Sequence, residues 1–164
     1  MTPAPGPGVL SAVEQSGIAA AMRGDLWLYP IVEIFHITGF VVLVGAVLMF
    51  DLRLFGVSRS IPVRALARHL LPWSLAALLV IVPSGLMMFS AHASEFVTNR
   101  AFLLKLTLLM FAAVNAAAFH TGVFRSAASW DTDVHAPPAA RAHAIASVIL
   151  WLAVLSCGRL IAYV

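Results

Sequence analysis

Imidazoles carried on different apolar segments at matching depth form a ligand set for iron, and this sequence offers several. His36 lies well inside one apolar run, one helical turn from Glu33. His69, His120 and His143 fall on three other runs at a second, shared level. Two such nitrogens on facing helices are what bis-imidazole haem b ligation requires, because the porphyrin slots between helices and the iron takes one donor from each side. Lys105 and Arg159 are placed to hold propionates, and Asn115 has an amide that must bond across helices or to a ligand. Met87 and Met88, one turn before His92, are soft donors that suit copper. Polar groups at such depth also serve structure alone, and Glu33 has possible ion-pair partners in Lys105 and Arg159.

The elements that position these residues follow from composition. The 164 residues are 62% hydrophobic and 10% charged, well short of the charge that covers a water-soluble domain. Four apolar runs, at about 27–50, 63–90, 101–124 and 139–164, each reach the roughly 20 residues that cross a bilayer. The fold expected is all-α, an integral membrane four-helix transmembrane bundle over 26–164. Residues 1–25 read as a Pro/Gly-rich leader to Gly8 followed by a short amphipathic helix, Val9 to Ala21, on the membrane surface. Trp27 and Tyr29 supply an aromatic belt, Asp51-Leu-Arg53 closes the first span, and Pro83 marks a kink in the second.

With four crossings both termini share one side, here side A. Arg53, Arg59, Arg64, Arg68, Arg125 and Arg141 lie towards side B; Arg23, Arg100, Lys105 and Arg159 lie towards side A. That bias puts side B in the cytoplasm and both termini in the periplasm. The net charge of +3 therefore reads as topology, with no nucleic-acid partner implied. At about 1.5 Å per residue, Glu33 and His36 sit roughly 6 and 10 Å in from side A, and His69 and His143 about 6 Å in from side B. Helical phase at about 100° per residue groups Lys105 with His120, and Glu33 with His36 and Asp51, while His143 and Arg159 fall on opposite faces. Gly39, Gly45, Ala112, Ala113, Ala116 and Ala117 are small enough for helices or a macrocycle to pack against. The sequence has no phosphate-binding loop, HExxH, GxSxG or cysteine-based metal motif, so hydrolysis and phosphoryl transfer have no candidate residues.

The segments Leu28 to His36, Asp51 to Gly56, Leu71-Pro-Trp73, Asn99 to Lys105, Phe119-His120, Ser129-Trp-Asp131 and Gly158 to Tyr163 occur in a characteristic order. Together they resemble an uncharacterised family of small four-helix bacterial inner-membrane proteins, classed as a domain of unknown function. The resemblance implies the fold and an inner-membrane location, and no established activity. Its pattern includes His36, Lys105, Asn115, His120 and Arg159; His69, His92 and His143 stand outside it. In architecture alone the chain is similar to copper-resistance D-type membrane proteins and four-helix b-type cytochromes.

Three functions follow as expectations. The first is a b-type haem protein that transfers electrons in the membrane, working with quinone or a periplasmic partner. The second is copper or other small-ion handling through His36, Glu33, His120 and the Met87-Met88-His92 corner. The third is a structural or assembly subunit. A bundle this small implies a homo-oligomer or a larger membrane complex under each.

Overall fold

The structure, a computed structural model, describes residues 8–163. Most of the leader, and Val164 at the end of the fourth run, lie outside them. The chain forms α1 (Val9–Glu14), α2 (Gly17–Gly24), α3 (Leu28–Phe55), α4 (Val63–Ala91), α5 (Ala93–Phe96), α6 (Arg100–Thr121), a 3-10 helix (Val123–Trp130) and α7 (Pro138–Leu160). Helices α3, α4, α6 and α7 are long and apolar enough to cross a membrane, and the chain is an all-α, multi-pass membrane protein.

Local chemistry sets the helix ends. Asp25 Oδ1 accepts from the amides of Trp27 and Leu28, satisfying orphan donors where α3 begins. At the far end Gly56 adopts φ +102°, and the amides of Gly56 and Val57 return to the carbonyls of Arg53 and Leu52. That left-handed cap stops α3 at Phe55. The Asp51-Leu-Arg53 segment therefore does not end the span, as charge alone suggests. Both charged side chains are buried in the bundle, so the helix continues through them. The third span ends earlier than its apolar run, at Thr121, and Phe124 belongs to the 3-10 helix.

Helices α3 and α4 pack closely, as do α6 and α7, and α3 against α7 joins the two pairs. Gly39 permits the first contact: a Cβ there would lie 2.7 Å from Ile81 Cγ1 and 3.4 Å from the Ala77 carbonyl oxygen. Phe40, Leu43, Val44, Ala77, Ile81 and Val154 fill the middle of the bundle. Helix α6 makes no comparably close backbone approach to α4, and this loosely joined α4–α6 side is the opening referred to below. Near side A it is bridged by stacked rings: Phe89 and Phe96 lie 5.8 and 5.1 Å from Phe102.

Side B is tied together by Arg53. Its side chain, 2% exposed, donates to the carbonyls of Ile61 (2.7 Å), Arg59 (3.0 Å) and Asp131 (3.0 Å). Asp131 Oδ1 then accepts from the Arg64 amide at the start of α4, at 2.8 Å. The two B-side connections thus close on one guanidinium, which adds to the Asp133 and Val63 amides that already donate to the Arg59 and Asp131 carbonyls.

The N-terminal segment is not one surface helix. It breaks between α1 and α2, where Ser16 caps the second piece through the Ala19 amide. Met22 is buried with Val32 and Ala91, against Met87 and Met88, whereas Ile18 stays exposed. Arg23 donates to the Ala91 carbonyl, and Glu14 accepts from the amide and hydroxyl of Ser94. The two helices are latched over the A ends of α3 and α4.

Candidate functional site

His36 is half-buried on α3, facing α4. Its Nδ1 lies 2.9 Å from Ser84 Oγ and 3.1 Å from the Ile81 carbonyl oxygen. The carbonyl can only accept, and the Ser84 hydroxyl already donates to the Val80 carbonyl at 2.6 Å. Nδ1 therefore carries the proton in the neutral ring, and Nε2 keeps its lone pair. Pro83 removes an amide from the α4 ladder, and Ser84 and His36 engage carbonyls of the preceding turn. Gly85 makes room for the imidazole: a Cβ there would stand 3.0 Å from His36 Cε1.

Across the opening, α6 contributes Lys105. Its Nζ sits 5.0 Å from the centroid of Phe40, whose ring also meets His36 edge-on at 5.1 Å. Gly158 of α7 lies beside it, with a notional Cβ 3.5 Å from Nζ, and buried Cys157 is adjacent. Lys105 makes no hydrogen bond or ion pair with any described residue. One cation and one imidazole acceptor thus flank Phe40 at the A level.

The B level is built differently. Asn115 on α6 and His143 on α7 bond reciprocally: the amide nitrogen donates to the His143 carbonyl at 3.1 Å, and Oδ1 accepts from His143 Nδ1 at 2.8 Å. His120 is exposed, and its Nδ1 donates to the Ala116 carbonyl of its own helix at 2.8 Å. Both rings meet Phe119 edge-on, at 5.4 Å for His120 and 5.8 Å for His143. In three of the four histidines on the spanning helices, His36, His120 and His143, Nδ1 is occupied and Nε2 remains an acceptor.

Other candidates do not converge on either level. His69 is exposed on α4 with no hydrogen bond among the described residues. Glu33 is exposed and pairs with neither Lys105 nor Arg159 among the described residues. Arg159 lies over Tyr163, 4.8 Å from its ring, and donates to its hydroxyl. The stripe shared by Glu33, His36 and Asp51 does not hold one environment. Exposure falls along α3 until Asp51 is 4% exposed beside Ser147, because the faces of α3 that are covered change along its length. Met87 and Met88 belong to the apolar cluster around Met22, and His92 faces Glu95 at 3.7 Å. Among the described residues no three His, Cys, Asp or Glu side chains group as a metal site. Gly39 is filled by α4, whereas Gly45 faces open space.

Sequence reading passed over Phe40, Ser84, Gly85 and Gly158. Phe40 stands one turn from His36, and Ser84-Gly85 follows Pro83, so spacing held part of the signal. The pairing of α3 with α4 that joins them was not readable from either run alone.

The family of unknown function DUF6644 matches residues 24–164, and the chain belongs to it. No curated protein and no solved structure matches the chain.

Proposed function

We propose that this member of the family is a membrane-embedded electron-transfer protein that carries b-type haem on histidine Nε2 donors, in the bacterial inner membrane with both termini periplasmic. The observation that supports the reading is the shared state of His36, His120 and His143. Each commits Nδ1–H to a protein acceptor. Ligating histidines are ordered in this way, since a tied Nδ1–H fixes the tautomer and raises the basicity of Nε2. His120 and His143 lie on adjacent helices and both meet Phe119, and are the pair proposed for one iron; His36 is the donor of the other level. Further copies of the chain, or subunits of a larger complex, would supply the electron donor and acceptor.

The test is an absorption spectrum of detergent-purified protein, oxidised and dithionite-reduced, with iron analysis. The expected result is a Soret band with split reduced bands, lost or shifted in His143→Ala or His120→Ala and retained in His69→Ala. A chain expressed with excess haem that shows neither Soret band nor iron ends the reading. In that event, His143→Ala that only loosens α6 from α7 assigns the pair to helix assembly.

A further inference from the structure

We propose that His36 and Lys105 bind the headgroup of a membrane-dissolved quinol in the opening between α4 and α6. The site needs a ligand that offers a hydrogen-bond donor to His36 Nε2 and an acceptor to the Lys105 ammonium. A quinol has hydroxyls on both sides of a flat ring and meets both demands. The walls suit such a ring: Phe40 lies between the two polar groups and is itself backed edge-on by Trp151 at 6.4 Å, while Gly85 and Gly158 present no side chain. Among the described residues Lys105 has the Phe40 face but no hydrogen-bond acceptor or ion-pair partner, a costly state for an ammonium inside a membrane and one that a ligand oxygen relieves.

Depth selects the ligand class. Lys105 lies five residues into α6 and His36 eight residues into α3, roughly 8 and 12 Å along the helices. Lipid phosphates sit at the membrane surface and do not reach that level, whereas a quinol dissolves in the hydrocarbon. The Phe89, Phe96 and Phe102 rings lie one turn closer to side A than Gly85 and Lys105, between that level and the A-side surface. The site does not depend on the haem reading, because none of its contacts involves His120 or His143.

The experiment uses the full chain in lipid nanodiscs titrated with a benzoquinol carrying a short alkyl tail, read by calorimetry and by tryptophan fluorescence. Saturable binding is expected. Lys105→Met and His36→Phe should each weaken it about tenfold, the effect of losing one hydrogen bond to a charged or strongly polar partner. Lys105→Arg should keep most of the affinity, and Glu33→Gln all of it. Retained helix content and a single elution peak exclude misfolding, and if His36→Phe fails that check the Lys105→Met and Lys105→Arg pair decides. The proposal is overturned by absent saturable binding, or by binding that both Lys105 variants leave unchanged. It is also overturned if a fatty acid of equal tail length binds through Lys105 while the quinol does not. A missing Soret band leaves the titration valid.

Discussion

Arg53 near side B and Lys105 in the A half are both cations withdrawn from water, and the bundle treats them in opposite ways. Arg53 meets three carbonyls from two separate connections through Nε and Nη2, although its Nη1 is buried without a partner among the described residues, so its charge is used to close the B end. Lys105 meets one aromatic face and no anion or hydrogen-bond acceptor among the described residues. A cation that the protein supplies with several acceptors ties structure together; one inside a membrane that it supplies with none marks a place where something else can be the partner. The difference separates a structural polar centre from a binding one without reference to any cofactor.

Removing each cation gives the sharpest test of that distinction. Arg53→Met removes three hydrogen bonds from a charged donor, with the Arg59 and Asp131 carbonyls keeping only their amide donors, and should cost about 3 kcal/mol or more, since hydrogen bonds to charged groups contribute roughly 1.5–3 kcal/mol each. Lys105→Met removes an uncompensated ammonium and should leave thermal stability in detergent unchanged or raised. Unfolding midpoints of the two variants measure the contrast. Equal losses would show that Lys105 is structural as well.

Gly85 tests the same contrast from the A side. Because a Cβ would already stand 3.0 Å from the His36 ring, Gly85→Val should push the imidazole off its Ser84 and Ile81 partners. Overpacking of this kind costs about 1–3 kcal/mol. Quinol affinity should fall with it, although Lys105 is untouched. Thermal melts and titration of the same preparation check both effects; normal binding with a displaced ring would detach His36 from the site.

Much of the fold was legible because hydrocarbon thickness dictates the length of an apolar run, and four runs leave little choice of architecture. Which residues face which was harder to read. Periodicity placed Glu33, His36 and Asp51 on one stripe of α3, yet one is exposed, one is half-buried and one is enclosed. A helix that packs on different neighbours along its length has no single inner face, so phase alone fails there. Arg53 illustrates a second limit. A charged residue at the end of an apolar run reads as a boundary, and only the returning 131 segment turns it into an internal tie. Asn115 was the easier case, since a mid-span amide has to find a partner and His143 is within reach.

The Asn115–His143 couple extends the comparison, being a B-side polar pair satisfied within the protein. Its worth should be modest, because polar groups in the membrane find alternative partners even when unfolded. A double-mutant cycle with Asn115→Leu and His143→Phe should give a coupling of about 0.6 kcal/mol, up to about 1.7. Unfolding of the two single variants and the double variant in detergent provides the four corners. A coupling near zero would mean that each side chain acts independently and that the Asn115 bond does not hold the His143 ring.

The smallest effect concerns the A end outside the spans, where Glu14 holds α1 to Ser94. The Ser94 hydroxyl, and then its amide, hold the Glu14 carboxyl below its usual range. A folded-state value lowered in this way stabilises the latch above the ordinary glutamate pKa, about 4, and that contribution is lost as pH falls through the lowered value. Arg23, His92 and Glu95 face the same junction, so the measurement is paired with His92→Asn and Glu95→Gln to separate the contributions of those groups. Amide exchange in α1 should be flat from neutral pH to about 5 and rise below it, after correction for intrinsic rates. Glu14→Gln should exchange faster throughout and show no such step. Because the carboxylate is solvent-exposed, added salt should shrink the difference; a step that survived in Glu14→Gln would assign it to another group.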